Sequence, residues 1–215
     1  MSTVIFHALP IPELDVSEAL RYAGCKEDGQ MLALAHSCYD MLKKSVAPKV
    51  SYLTSPLLVK GCTCSFLDQS LQSHRLAEHL GKSKSILLMA LTLGIGADRL
   101  LARFSVEPSR AVMLQAVATA MLEQVCDSFM EQYQAQHGVT LTSRFSPGYG
   151  DLPIDTQTLI FKLLDPKRIG LCLTDSLIMT PSKSVTAFAG INQGEHTPHC
   201  TNKCDGCTLS CQFRR

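Results

Sequence analysis

An excess of charge of one sign is missing from this sequence. Against 20 Lys and Arg stand 19 Asp and Glu, a formal net charge of +1. No basic surplus is therefore available to neutralise a phosphate backbone, which sets nucleic acid aside as a partner. A run of bilayer length is missing too: the longest apolar stretch, around Ile86 to Leu93, suits a buried strand. Met1 to Leu9 carries no basic leader and is broken by Pro10 and Pro12, which does not suit a secretory signal, and no membrane association is expected. Gly94-Ile-Gly96 begins like a dinucleotide loop, but Arg99 stands where the third glycine is needed, so that fingerprint fails. There is no internal repeat, no low-complexity tract and no supportable Ser-His-Asp or paired-carboxylate arrangement.

What is present in unusual amount is cysteine. Six of the ten thiols are scattered, at Cys25, Cys38, Cys62, Cys64, Cys126 and Cys172, and four crowd the end, at Cys200, Cys204, Cys207 and Cys211. Without an export signal the expected compartment is the reducing cytoplasm, where scattered thiols stay free and clustered ones hold metal. A chain of 215 residues with 46% hydrophobic composition can bury one good core, with room for a small appendage but not a second full domain.

Helical spacing predicts helices from Asp15 to Tyr22, closed by Gly24, and from about Asp28 to Lys44. A third is expected over Leu71 to Leu80, and a fourth, carrying Asp98, Arg99 and Arg103 outward, after the strand Ser83 to Leu93. The longest should start at Glu107-Pro108-Ser109 and reach about Gln134, and another, capped by Asp155, runs from Thr156 to Leu164. Val50 to Val59, with Pro56 inside it, reads as a strand or strand pair near a sheet edge. Val139 to Arg144 alternates like a strand and leads to a turn, Ser146-Pro-Gly-Tyr-Gly150. Leu177 to Met179 and Ser184 to Ala189 read as two strands separated by a turn at Pro181. Helices first, one strand between helices, then mostly local strand pairs favour a single mixed α+β domain over a doubly wound fold. After Gly190 apolar residues other than cysteine almost vanish, so 1–191 reads as the domain and 192–215 as a tail that needs a metal or a docking surface to be ordered.

One ordered series of motifs stands out: Arg144-Phe-Ser-Pro-Gly-Tyr149, then Leu173-Thr-Asp-Ser176, then Met179-Thr-Pro-Ser-Lys-Ser-Val185. It resembles the activation domain of vitamin B12-dependent methionine synthase. Leu91-Thr-Leu-Gly94 and Asp98-Arg-Leu100 look like earlier parts of the same family, so the likeness runs from about Ala90 to Ala189. The resemblance implies an α+β domain whose twisted, mostly antiparallel sheet is flanked by helices. It implies binding of S-adenosylmethionine, with the cobalamin carried by a partner, such as a methionine synthase lacking its activation domain, and an electron donor such as flavodoxin or ferredoxin.

The residues fit that chemistry on their own terms. A guanidinium can clamp the ligand's carboxylate with two parallel charge-assisted bonds, the role read for Arg144. Pro147 and Gly148 shape a bend whose main chain, with Ser146, can lie against a ligand and offer groups to adenine. Tyr149 at the apex offers a flat face to a corrin ring and an electron-rich ring to a nearby sulfonium, which makes it a candidate for both catalysis and cofactor binding, and the family tyrosine lies beside the cobalamin. The family also uses an acidic residue from the preceding long helix, best matched by Glu123. Read singly, Arg144 is equally a solvated strand end, the bend an ordinary turn and Glu123 a helix-surface acid. The clamp reading is at risk if the bend lies far from any cavity with the guanidinium committed to a neighbouring carboxylate. Two departures from the family are visible. No Tyr-Tyr pair follows the Ser-Val strand, and the linker before Arg144 is short.

In the tail, Cys200, Cys204, Cys207 and Cys211 can close on one tetrahedral zinc or on an iron–sulfur cluster, with His196 and His199 as substitute ligands. The competing function is accordingly a metal-bearing redox or interaction protein whose tail acts and whose globular part is a scaffold.

Overall fold

The computed structural model describes residues 3–193, so the four tail cysteines read as metal ligands lie outside the described residues. Six strands form the spine of one sheet: β2 (Lys49–Lys60), β3 (Thr63–Phe66), β4 (Gln69–Gln72), β5 (Ser85–Thr92), β6 (Val139–Leu141) and β9 (Ser184–Gln193). They lie in the order β4-β3-β2-β5-β9-β6, while β1 (Ile5–Ala8) runs beside the first part of β2, and every pairing is antiparallel. β7 (Cys172–Leu173) and β8 (Met179–Thr180) make a separate small ribbon.

The central strand explains the layering. β5 is apolar at nearly every position, as a strand covered on both faces must be. Leu87, Met89 and Leu91 join the core under α1 (Val16–Ala23), α2 (Gly29–Lys43), α4 (Ile95–Arg103) and α5 (Pro108–His137). Ile86, Leu88 and Ala90, alternating with them, join the second core under α3 (His74–Leu80) and α6 (Thr156–Leu164). Each of these leucines is fully buried and contributes roughly 1.5–3 kcal/mol relative to exposure. The mixed α+β class with helices flanking an antiparallel sheet is thus borne out.

Several local expectations are corrected. β2 is one strand of twelve residues with partners on both sides. Pro56 is tolerated there because Leu57 N–H points to the Lys84 carbonyl on the β5 side. Alternation then aims the missing donor of Pro56 into the gap between β1, paired to Lys49–Tyr52, and β3, paired to Leu57–Lys60. The helix expected from Leu71 starts only at His74, since Leu71 and Gln72 pair with Cys64 and Thr63. The strands around Pro181 do not pair with each other: β8 turns back on β7, whereas β9 crosses to β5, placing Ser184 opposite Thr92. Local pairing is therefore not the organising rule. Asp155 stands at the start of α6 in helical conformation without a capping bond, the backbone there being held by turns from Pro153 and Ile154.

The glycines of the failed dinucleotide loop serve packing. A Cβ on Gly96 would fall 1.7 Å from the Ser45 carbonyl oxygen, so α4 meets the end of α2 at a separation only glycine allows. α5 begins with Pro108 in its first turn and runs to His137, three residues past the expected end, where Gly138 closes it with φ 62°. Gln134 then accepts a bond from Leu141 N–H (2.9 Å), turning β6 back along β9.

Candidate active site

Beyond Leu141 the chain keeps to the outer edge of β9 without forming a full strand. Thr142 N–H donates to the Gly190 carbonyl (2.9 Å), and Phe145 and Phe188 exchange both backbone bonds (2.9 and 2.8 Å). Alternation at this edge sends Phe145 into the α3/α6 core and Arg144 the opposite way, toward α5.

There the Arg144 fork spans two carboxylates. Nη1 donates to Asp127 and Nη2 to Glu123, with the Met130 sulfur 3.6 Å from Nη1. Glu123, Asp127 and Met130 are four and three residues apart, so helical spacing puts them on one face of α5. The Arg144 side chain is 11% exposed and the carboxylates 33% and 40%. Burial opposes the guanidinium charge, but Cys126, Asp127 and Glu123 outweigh it and raise the pKa of Arg144. One cation between two anions leaves the three side chains at −1.

The bend itself is tightly bonded. Gly148 N–H donates to the Leu152 carbonyl (2.9 Å), Tyr149 N–H to Ser146 (3.1 Å) and Leu152 N–H to Tyr149 (3.0 Å). Leu152 and Pro147 are buried beneath it, while Gly148 and Gly150 adopt φ 89° and 56°. The N–H groups of Gly148 and Tyr149, expected to be free for adenine, are therefore spent inside the bend. The Tyr149 ring is 58% exposed at the apex, resting edge-on against Phe145 at 6.1 Å.

A hollow of about 330 Å³ opens between α1 and α5, lined by Tyr22, Ala111, Val112, Gln115, Ala116 and Thr119. Thr119 lies one turn of α5, about 6 Å, before Glu123. Tyr22 links the two places, its hydroxyl pKa raised first by burial and then by the Glu123 and Glu18 carboxylates. Lys183 stands at the rim, donating to Thr119 Oγ1 at 2.9 Å, and burial lowers its pKa.

The family model for the activation domain of vitamin B12-dependent methionine synthase matches residues 68–196. The chain belongs to that family. The match begins some twenty residues before the likeness read from the motifs. A solved structure of the MetH reactivation domain bound to AdoHcy (S-adenosylhomocysteine) superposes with a TM-score of 0.64 and 16% identity, covering 90% of this chain and 80% of that one. At that identity the likeness shows the fold. No curated protein matches the sequence.

Within this activation domain, the fold pairs Arg144 with Glu123, while Ser146, Pro147, Gly148 and Tyr149 follow in the bend, where Tyr149 rests on Phe145. The guanidinium does not stand free as the clamp reading assumed, being committed to two carboxylates. The hollow between α1 and α5 comes within one turn of Glu123, but no residue of the bend lines it. Asp127 was missed, although its place four residues after Glu123 on a helix is a legible signal. His79 on α3 and Asp151 at the exit of the bend tie the two together, and the sequence marks neither as a site residue. Cys64, one of the scattered thiols, is buried, and its thiol pKa is pushed up to about 11 by burial. Among the described residues no group of three His, Cys, Asp or Glu is placed to hold a metal, and no helix is long and apolar enough to cross a membrane.

Proposed function

We propose that this chain binds S-adenosylmethionine at Arg144, Glu123 and Asp127 and presents its methyl group to the cobalamin of a partner methyltransferase, restoring it to activity. The Arg144 cluster, in a chain of this family, carries the reading. The amino-acid end of the ligand brings a carboxylate for the guanidinium and an ammonium for the two acids, so the ion pairs exchange rather than break. The sulfonium makes the whole ligand +1, complementary to the −1 of the cluster. Ser146, Pro147 and Gly148 form the wall of the site, and Tyr149 turns its exposed face to the corrin ring.

In the reaction, an external donor such as flavodoxin or ferredoxin gives one electron to Co(II). The electron pair of Co(I) then attacks the methyl carbon, and the C–S bond breaks with its pair left on sulfur, yielding methylcobalamin and neutral S-adenosylhomocysteine. The partner is a methionine synthase lacking its own activation domain or a related corrinoid methyltransferase, met in the cytoplasm through a transient interface. Four thiolates from Cys200, Cys204, Cys207 and Cys211 suit an iron–sulfur cluster or zinc by donor chemistry. A cluster there would supply an electron; zinc would only order the tail.

Calorimetric titration of the full chain with S-adenosylmethionine tests the reading. Saturable one-site binding that disappears in Arg144→Ala is expected. Absence of binding by the parent protein, together with stoichiometric metal in the tail, would instead favour a metal-bearing redox or interaction protein.

A further inference from the structure

The bend that carries Arg144 and Tyr149 is held at both ends by one short helix. At its start, His79 in the last turn of α3 donates from Nε2 to the Ser143 carbonyl at 2.7 Å. The same imidazole lies 5.2 Å from the Phe145 ring, which in turn supports Tyr149. At the other end, Asp151 accepts from the Ser73 hydroxyl, from His74 N–H (2.7 Å) and from Arg75 N–H (3.1 Å) at the first turn of α3. Between these ties, Gly150 lies so close to the stem of Arg75 that a Cβ would fall 2.8 Å from its Cγ and 2.9 Å from its Cβ. α3 is itself anchored, with Leu76, Ala77 and Leu80 in the core.

We propose that α3 is the template of the ligand bend, and that His79 and Asp151 are positioning residues that set Arg144 and Tyr149 before any ligand arrives. The ligand named here is the one in the reading above, on which this inference rests. Neither residue has to touch it. His79 acts through Phe145 on the Tyr149 face and through Ser143 on the root of Arg144. Asp151 fixes the exit of the bend. A bend ordered in advance spares the ligand that ordering, and affinity gains accordingly.

The test uses the full chain as parent, His79→Ala and His79→Gln, each at a temperature where it is fully folded. Backbone amide exchange without ligand is read for the segment 144–152 and for β5 and β9, followed by titration with S-adenosylmethionine. In His79→Ala, exchange at Gly148, Tyr149 and Leu152 should rise about tenfold or more while β5 and β9 stay unchanged, because only a local opening is released. The ligand dissociation constant should rise about 5- to 30-fold, and glutamine, whose amide can donate to the same carbonyl, should restore both within about threefold. Unchanged exchange in the bend, or a rise shared equally by β5 and β9, overturns the proposal. So does unchanged affinity in a parent that binds. If the parent binds no S-adenosylmethionine, the functional reading fails, and the exchange pattern alone decides the role of α3.

Discussion

Replacing Arg144 by lysine keeps the charge and removes the fork. Two terminal nitrogens of one planar group reach Glu123 and Asp127 together, whereas an ammonium on a flexible stem can serve one of them well. A buried bond to a charged group contributes about 1.5–3 kcal/mol. Here the carboxylates are 33% and 40% exposed, so screening by solvent brings the expected loss of stability in Arg144→Lys to about 1 kcal/mol. Arg144→Ala removes the guanidinium that both acids share and should lose about 2–3 kcal/mol. Ligand capture suffers more: without the parallel pair of bonds to its carboxylate, Arg144→Lys should weaken S-adenosylmethionine about 10- to 150-fold. Urea unfolding and calorimetric titration, both at neutral pH, measure the two effects. A lysine variant that binds as tightly as the parent, or an alanine variant as stable as the parent, refutes the argument.

Three further outcomes follow from the same region. Gly150→Ala forces a side chain onto φ 56° and against the Arg75 stem, and should lower stability by about 1–3 kcal/mol in chemical denaturation; a neutral result means the bend is not held to α3. The Asp151 pKa is lowered to about 2, first by the Ser73 hydroxyl and, against an opposing desolvation effect, by the His74 and Arg75 N–H groups. Its stabilisation is complete above the ordinary carboxylate range near pH 4 and is lost as pH falls toward 2, so the difference in melting temperature between parent and Asp151→Asn should shrink over that window. On the proposed reading, Tyr149→Ala should slow methyl transfer to a partner's cobalamin more than about tenfold and weaken S-adenosylmethionine by less, the exposed ring being the surface offered to the corrin; equal losses in both assays would contradict that division.

The sequence by itself determined what is local. Terminal signals mark α1 and the start of α5, Asp15 and Gly24 for the first and Pro108 for the second. The unbroken apolar run of β5 announces a strand covered on both faces, and the ordered motifs from Arg144 to Val185 point to the family. These are legible because capping, burial and turn chemistry act within a few residues of their cause. Only the tertiary structure decided what joins distant segments. β9 pairs with β5 across about ninety residues of chain rather than with its neighbour β8. Pro56 sits within a strand paired on both sides because its missing donor faces a gap between two partners. Arg144 meets an acid, Asp127, that no motif contains, and α3 grips the bend through His79 and Asp151. Side-chain direction and strand register at the β9 edge set those meetings, and both depend on what the chain packs against, which no local stretch of residues encodes.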